Sequence, residues 1–172
     1  MSKLLPYNLA VNTSEFKDFM AGVPTCVAIV ATPVKFGIQA CTISSVTSFD
    51  IESPGIMIVL QKYSRTLRSI NESEVFSVNI LNMHQVPLAE YFSSKEKDLD
   101  SDAIALFDLN NEFLMPFLID CPSVAFCKVE TTVDFQNASI IFGRVIGLLR
   151  SDRKSPLIYS ERKYFTLGYS LT

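Results

Sequence analysis

The chain has 172 residues, of which 48% are apolar and 19% are charged, and its formal net charge is -3. This length suits one domain, and the apolar content predicts a substantial buried core or a buried subunit interface. The acidic balance and the dispersed basic residues argue against a nucleic-acid-binding protein, which normally presents a basic face.

The cysteines and the single histidine exclude further classes of protein. Four cysteines make no CxxC pair, and with one histidine they cannot form a typical zinc site, so no metal is expected. The N-terminus lacks the basic region, apolar stretch and cleavage site of a secretory signal. No window approaches the roughly 20 apolar residues of a membrane helix. We therefore expect a soluble, reducing, cytoplasmic protein with no membrane partner.

The beginning of the chain predicts an arm and a short helix. Residues 1–12 are expected to form an N-terminal arm within a single domain that spans 1–172. Asn12 and Glu15 have the spacing of a capping box, so a helix should begin just after Asn12. Large apolar residues then recur at helical spacing, and we expect their face to pack against the protein. These residues are Phe16, Phe19 and Met20.

A β-hairpin and a further strand are predicted next. The apolar run 26–32 is rich in valine and isoleucine, which predicts a strand buried on both faces. Proline and glycine at 33–37 indicate a hairpin turn, and 38–46 is the returning strand. A second apolar run, 56–60, follows a Pro-Gly turn and predicts another strand.

The middle of the chain alternates between short helices and a strand. Ser64 is a candidate N-cap, with Leu67 and Ile70 forming the inward stripe of a short helix. The alternating segment 75–81 predicts a half-buried strand, and 85–92 predicts a second short helix.

The last part of the chain predicts a polar loop and a series of strands. The segment 93–102 is the most polar and is expected to be a mobile surface loop. Gly143 and Gly147 indicate bulges of the kind that barrels use. The predicted elements number about seven to nine strands and two to four helices. Because most strands follow one another directly, we expect antiparallel pairing and a mainly β fold, a closed or partly closed β-barrel with peripheral helices. The late strands are expected at 124–135, 139–149, 157–159 and 164–169.

The stretch from Gln39 to Thr66 carries the candidate site. Short hydroxyl side chains crowd the part where a core strand would bury apolar residues. Lys62 then precedes Ser64 and Thr66 at the predicted helix start, where unpaired N–H groups and a partial positive charge suit a phosphate. The stretch predicts a site where backbone amides approach a flat polar ligand and a phosphate is neutralised; the alternative is a bent strand end beside a capped surface helix. The crowded hydroxyl residues are Thr42, Ser44, Ser45, Thr47 and Ser48.

Several motifs follow one another in order between about residues 14 and 168. They include Ala40-Cys41-Thr42, Ser44-Ser45, Glu52-Ser53-Pro54, Lys62 to Thr66, Phe76 to Leu81, Gln85 to Ser93, Gly143-Arg144-Val145, and Pro156 to Tyr164. Together their order and spacing resemble the short-chain flavin reductase family, whose fold is the FMN-binding split barrel.

The resemblance implies a homodimer that binds FMN, or alternatively FAD, and uses NADH or NADPH to reduce it. Many such proteins pass the reduced flavin to a partner monooxygenase. The expected roles are ring contacts from Thr42 to Ser45, ribityl contacts from Thr47 and Ser48, and phosphate contacts from Lys62 to Thr66. The residues that the resemblance assigns to the cofactor are Thr42, Ser44, Ser45, Thr47, Ser48, Lys62, Ser64, Thr66, Phe92 and Tyr164.

One of these assignments has an alternative, and two further residues receive separate expectations. Phe92 could equally be a core aromatic of an amphipathic helix. Arg162 matches the C-terminal motif together with Tyr164, and the two are expected to complete the rim of the pocket. His84, the single histidine, is expected to be an exposed polar residue at a loop–helix junction.

The sequence also departs from the family pattern. The family's Gly-Asp-His triplet falls on Gln136-Asn137-Ala138, so no titratable group remains there. Ala40 replaces a glycine, and Asp50 replaces a serine where an acid near a phosphate would oppose it. No catalytic residue is therefore assigned. Three hypotheses follow: an NAD(P)H:flavin oxidoreductase, an FMN-binding electron carrier without that activity, and a cofactor-free dimeric binding module.

Overall fold

The computed structural model describes residues 11–94, 101–151 and 155–168. Most of the predicted arm, the centre of the predicted loop 93–102 and the end of the last predicted strand lie outside these residues. The strands are β1 (Thr25–Cys26), β2 (Ala28–Val34), β3 (Gly37–Ile43), β4 (Val46–Asp50), β5 (Gly55–Gln61), β6 (Val75–Ile80), β7 (Phe107–Asn110), β8 (Met115–Leu118), β9 (Ser123–Phe135), β10 (Ala138–Arg150), β11 (Leu157–Ser160) and β12 (Lys163–Thr166). The helices are α1 (Thr13–Ala21), α2 (Arg65–Ser73), α3 (Val86–Ser93) and α4 (Ser101–Ala105), with a short 3-10 turn at Met83–Gln85.

A seven-stranded sheet forms the centre of the protein, in the order β3-β2-β6-β9-β10-β5-β4. All of its neighbouring strands are antiparallel, which confirms the predicted pairing. Its two edges, β3 and β4, are consecutive in the chain and are joined only by Ser44 and Ser45. The sheet therefore curves round until its two edges lie one short connection apart.

Two apolar clusters lie on opposite faces of this sheet. Alternate residues of β2 enter different clusters: Ile29 packs in one, and Ala28 and Val30 pack in the other. β2 is thus buried on both faces, as the apolar run predicted. Helix α2 covers one cluster with Leu67 and Ile70, while α3 covers the other.

Strand β6 is buried on both faces, so the prediction of a half-buried strand is wrong. Its alternating polar residues, Ser77 and Asn79, point towards a β7–β8 hairpin that the sequence analysis did not identify. The Ser77 hydroxyl donates to the Pro116 carbonyl at 2.6 Å, and the side-chain amide oxygen of Asn79 accepts from the Leu118 N–H at 2.8 Å. Hydrogen bonding offsets the cost of burying these polar groups, and their polarity reflects pairing rather than exposure.

Helix α1 begins with the predicted capping box but does not pack as predicted. The Asn12 side chain accepts from the Glu15 N–H at 2.9 Å, and the Glu15 carboxylate accepts from the Asn12 N–H at 3.1 Å. No residue of α1 is buried, and the face that includes Phe16 and Phe19 is exposed. Polar contacts attach the helix instead: Arg162 donates to Asp18 at 2.5 Å, and the Glu161 N–H donates to the Ala21 carbonyl.

Strands β9 and β10 form a long hairpin with the predicted turn at 136–137. The register shifts beside Gly143 and Gly147 confirm the predicted bulges. A Cβ at Gly143 would lie 2.5 Å from the Phe76 ring, so only glycine allows this approach. Within the described ranges, no helix has the length and apolar character needed to cross a membrane.

Candidate functional site

A cavity of about 1070 Å³ opens where the two edges of the sheet approach each other. It is lined by residues 39–45 from β3 and the connection after it, and by 59–66 from β5 and the start of α2. Residues 92–94 at the end of α3 and 135–138 at the β9–β10 turn complete it. Its volume is at the upper end of the range for small-molecule sites, about 300–1,000 Å³.

The fold brings seven of the ten predicted cofactor residues to this cavity. Thr47 and Ser48 are exposed on β4 and do not line it, and Tyr164 lies on β12 away from it. Their assignment to the cofactor stays a prediction. The seven residues that line the cavity are Thr42, Ser44, Ser45, Lys62, Ser64, Thr66 and Phe92.

One side of the cavity, here called the hydroxyl wall, consists of Thr42, Ser44 and Ser45. The Thr42 hydroxyl donates to the Ala89 carbonyl at 2.7 Å and so attaches β3 to α3. The Ser45 hydroxyl donates to the Val59 carbonyl at 2.9 Å and accepts from the Val59 N–H at 3.2 Å. These two hydroxyl groups thus attach β3 to α3 and the connection at 44–45 to β5, at the place where the two edge strands of the sheet approach each other. Among the described strands β3 pairs only with β2, so no strand lies along its other edge.

The opposite side, here called the charged wall, consists of Lys62, Ser64, Arg65 and Thr66. Ser64 caps α2, as predicted, by accepting from the Leu67 N–H at 3.2 Å. Thr66 is buried, and its hydroxyl accepts from the Gln39 amide at 3.4 Å. Arg65 also lines the cavity and was missed by the sequence analysis, although its place next to the cap was a usable signal. Two cations and a capped helix start therefore face one cavity, which suits an anion.

Lys62 is held by the β9–β10 hairpin through both its backbone and its side chain. Its N–H donates to the Asn137 carbonyl at 3.0 Å, and its ammonium lies 3.1 Å from the Asp134 carboxylate. The other Asp134 oxygen accepts from the Ser139 hydroxyl at 2.6 Å. These hydrogen bonds, first from Ser139 and then from Lys62, hold the pKa of Asp134 below its ordinary value. Nothing in the local sequence marked Asp134, because the pairing depends on the hairpin.

The turn at 136–138, the place where the resemblance predicts a Gly-Asp-His triplet, lies at the cavity. Gln136, Asn137 and Ala138 all line it, next to Lys62. Gln136 has a φ of 51°, in the left-handed region where glycine is favoured over other residues.

Phe92 fits both of the interpretations given to it. It belongs to an apolar cluster, packing edge-to-face on Phe107 with ring centroids 5.7 Å apart. It also lines the cavity. A buried aromatic side chain at this place gives the cavity a rigid apolar boundary.

The remaining residues that the sequence singled out lie elsewhere. The Tyr164 ring is 5.2 Å from that of Tyr159, and burial, followed by the charge of Glu90, raises its pKa. His84 is exposed in the 3-10 turn, as predicted. The Asp50 carboxylate accepts from the N–H groups of the β4–β5 turn and does not line the cavity, whereas Asp134 pairs with Lys62 of the charged wall.

Comparison with known sequences places this geometry in context. The profile of the family described as the flavin reductase like domain matches residues 20–168. The FMN reductase (NADH) RutF of Bradyrhizobium diazoefficiens is 28% identical over 158 residues, which cover 92% of this chain and 87% of that protein. The reductase subunit HsaB of a flavin-dependent monooxygenase of Rhodococcus jostii is 27% identical over 161 residues, covering 90% and 78%.

Solved structures share the fold at lower identity. BorF, the flavin reductase component of a bacterial two-component tryptophan halogenase, superimposes with a TM-score of 0.85 at 19% identity, covering 92% of this chain and 100% of that one. The NADH:FAD oxidoreductase SgcE6 of Streptomyces globisporus, in complex with NAD and FAD fragments, gives 0.84 at 17% identity, covering 99% and 100%. These matches confirm the predicted fold class.

Proposed function

Because the chain belongs to the flavin reductase like domain family, we propose that it is an NAD(P)H-dependent flavin reductase that uses FMN, or alternatively FAD. The observation that supports the site most directly is the convergence of the hydroxyl wall, the charged wall and Phe92 on one cavity. These segments are separated in sequence, and each was predicted to contact a different part of the same ligand.

The residues present fit a phosphorylated flavin. The cavity of about 1070 Å³ has room for a tricyclic ring and its side chain. Residues 39–43 of β3 line the cavity and would place backbone groups beside a flat polar ring, and Lys62 and Arg65 at the start of α2 offer positive charge to a phosphate. A bound flavin would supply the hydride-accepting group that no side chain can supply.

The chain's own contribution is binding and alignment. Thr42 and Ser45 hold the edge of β3 against α3 and β5, so the backbone donors there are preorganised. Phe92 excludes water from one side of the cavity. The turn at 136–138 has no titratable side chain to move a proton, so we expect rate acceleration to come from orientation of nicotinamide against flavin.

A second candidate, an FMN-binding electron carrier, is favoured by one observation. The family's histidine position is occupied by Ala138, which lines the cavity but carries no imidazole. Flavin binding needs only the walls described above, whereas productive nicotinamide binding could need the missing group. The two candidates therefore predict the same flavin affinity and different responses to NADH.

The predicted assembly also remains a proposal. Exposed apolar side chains, among them Phe135 and Leu148, lie on the β9–β10 hairpin, and their burial in a homodimer would remove them from water. A partner monooxygenase is supported by the name of the HsaB relative, a reductase subunit. Light scattering of the purified protein would test the dimer.

The test of function is a visible spectrum followed by anaerobic addition of NADH or NADPH. The proposal predicts a flavin spectrum after reconstitution with FMN or FAD and its bleaching by reduced nicotinamide. A bound flavin that neither nucleotide bleaches would support the electron carrier instead. No flavin binding at all would leave the cofactor-free dimeric module.

The phosphate assignment predicts the effect of Lys62→Ala. Loss of the ammonium should weaken FMN binding by about tenfold, the scale of a charge-assisted contact reduced by solvent screening. Riboflavin, which has no phosphate, should be unaffected. The measurement is quenching of flavin fluorescence, with Lys128→Ala, an exposed lysine on β9, as the control. Equal losses for both flavins would contradict the assignment.

A further inference from the structure

We propose that Asp134 sets how strongly the cavity prefers a phosphorylated flavin over riboflavin, by competing with the ligand phosphate for the Lys62 ammonium. The inference rests on the proposed function, because it concerns the phosphate end of the same flavin site. It adds a specificity-determining residue that lies outside the cavity and acts through one that lies inside it.

Lys62 lies between the cavity and the hairpin. It lines the cavity, yet its ammonium is 3.1 Å from Asp134 on the other side. Its backbone is fixed by the bond to Asn137 at 3.0 Å, next to the ladder pair of Gln61 with Ala138. A phosphate must therefore draw the side chain away from Asp134 or share it with that carboxylate.

Asp134 is held in place to make this contact. The Ser139 hydroxyl donates to it at 2.6 Å, and the Ser139 side chain is fully buried. Asp134 and Ser139 are also cross-strand partners in the β9–β10 ladder. The carboxylate is half-exposed, and it is absent from the cavity lining, so its influence on a ligand runs through Lys62.

The arrangement reduces the attraction of the charged wall for an anion. A lysine ammonium has three N–H donors, and one of them points to Asp134. The carboxylate also offsets the positive charge that a phosphate would meet. Replacing it with the neutral, isosteric amide should leave Lys62 in place with its charge uncompensated, and phosphate should then bind more tightly.

The experiment compares FMN and riboflavin binding to the full chain and to Asp134→Asn by fluorescence quenching at low ionic strength. The expected result is FMN binding that tightens about twofold to fivefold, the scale of a partly exposed ion pair, with riboflavin binding unchanged. High salt should shrink the difference because it screens the charges. A purely structural role for Asp134 would move both ligands together.

Two further variants locate the effect. Glu130→Gln removes the same charge from the same strand, where Glu130 pairs with Arg144 instead, and it should leave both affinities unchanged. In a Lys62→Ala background, Asp134→Asn should no longer tighten FMN. The proposal is supported if the gain requires Asp134 and Lys62 together.

The outcomes separate this proposal from the proposed function. The role of Asp134 would be overturned, with flavin binding intact, if Asp134→Asn weakened FMN binding or left it unchanged. It would also be overturned if Glu130→Gln tightened FMN binding equally, or if Asp134→Asn still tightened it in the Lys62→Ala background. If the full chain binds neither flavin, the proposed function fails, and the role of Asp134 fails with it.

Discussion

The two walls of the cavity use polar side chains in opposite ways. On the hydroxyl wall, Thr42 and Ser45 bond to backbone groups of α3 and β5, so their side chains shape the site. On the charged wall, Lys62 bonds to a side chain, Asp134, at the solvent-exposed rim. One wall is part of the architecture, and the other holds charge that a ligand can redirect. Loss of the Thr42 or Ser45 hydroxyl should change stability, whereas loss of the Lys62 charge should change ligand preference.

The largest expected effect on stability is that of Ser45→Ala. It leaves both the N–H and the carbonyl of Val59 without the bonds that the hydroxyl supplies, at a cost of about 1–2 kcal/mol in the free energy of unfolding. Urea denaturation would measure the loss. Lys62→Ala, on the charged wall, removes only a partly exposed ion pair and should change stability less. A similar loss in both variants would break the distinction between the walls.

Gln136→Gly should have a smaller effect of opposite sign. Glycine removes the strain of a left-handed backbone at φ 51°, which should raise the free energy of unfolding by about 1–2 kcal/mol. The greater freedom of glycine in the unfolded chain lowers that gain by about 0.5–1 kcal/mol. The melting temperature should therefore rise slightly. Asn137, the next residue, has no positive φ, so Asn137→Gly should not raise the melting temperature. A rise for Asn137→Gly in place of Gln136→Gly would show that the turn has another conformation.

The smallest expected effect on stability is that of acid pH, and it should appear only at Asp134, which pairs with Lys62 of the charged wall. Hydrogen bonds lower the folded-state pKa of Asp134, so its contribution to stability is present above the ordinary value of 3.8 and is lost as the pH falls through the folded value. The stability difference between the full chain and Asp134→Asn should thus narrow in acid. The corresponding difference for Ser45→Ala should stay constant, since a hydroxyl does not titrate in this range.

Local patterns predicted most of the elements because capping, turns and apolar runs depend on neighbouring residues. The Asn12 capping box and the Ser64 cap are examples. The errors arose where a distant segment decides the outcome. Periodicity grouped Phe16 with Phe19 but could not show that nothing in the described chain covers them, and alternation in β6 could not reveal the β7–β8 hairpin.

In the candidate site too, the residues marked by local sequence were predicted and those placed by distant segments were not. The stretch 39–66 was identified because hydroxyls, a lysine and a cap are unusual together in a core segment. Asp134 was not, because it reaches Lys62 only after β9, β10 and β5 pair. Thr47 and Ser48 looked equivalent to Ser44 and Ser45 in sequence, yet the chain enters β4 after Ser45 and takes them away from the cavity.

The bond from the Lys62 N–H to the Asn137 carbonyl has a consequence for how such proteins diverge. The turn at 136–138 is where the resemblance predicts the Gly-Asp-His triplet, and the same turn holds the backbone of the lysine proposed for the phosphate. A substitution that changes the backbone of this turn should therefore also shift Lys62. We expect lineages that lose the histidine to inherit compensating changes at 62 and 134, so that these positions evolve as one unit.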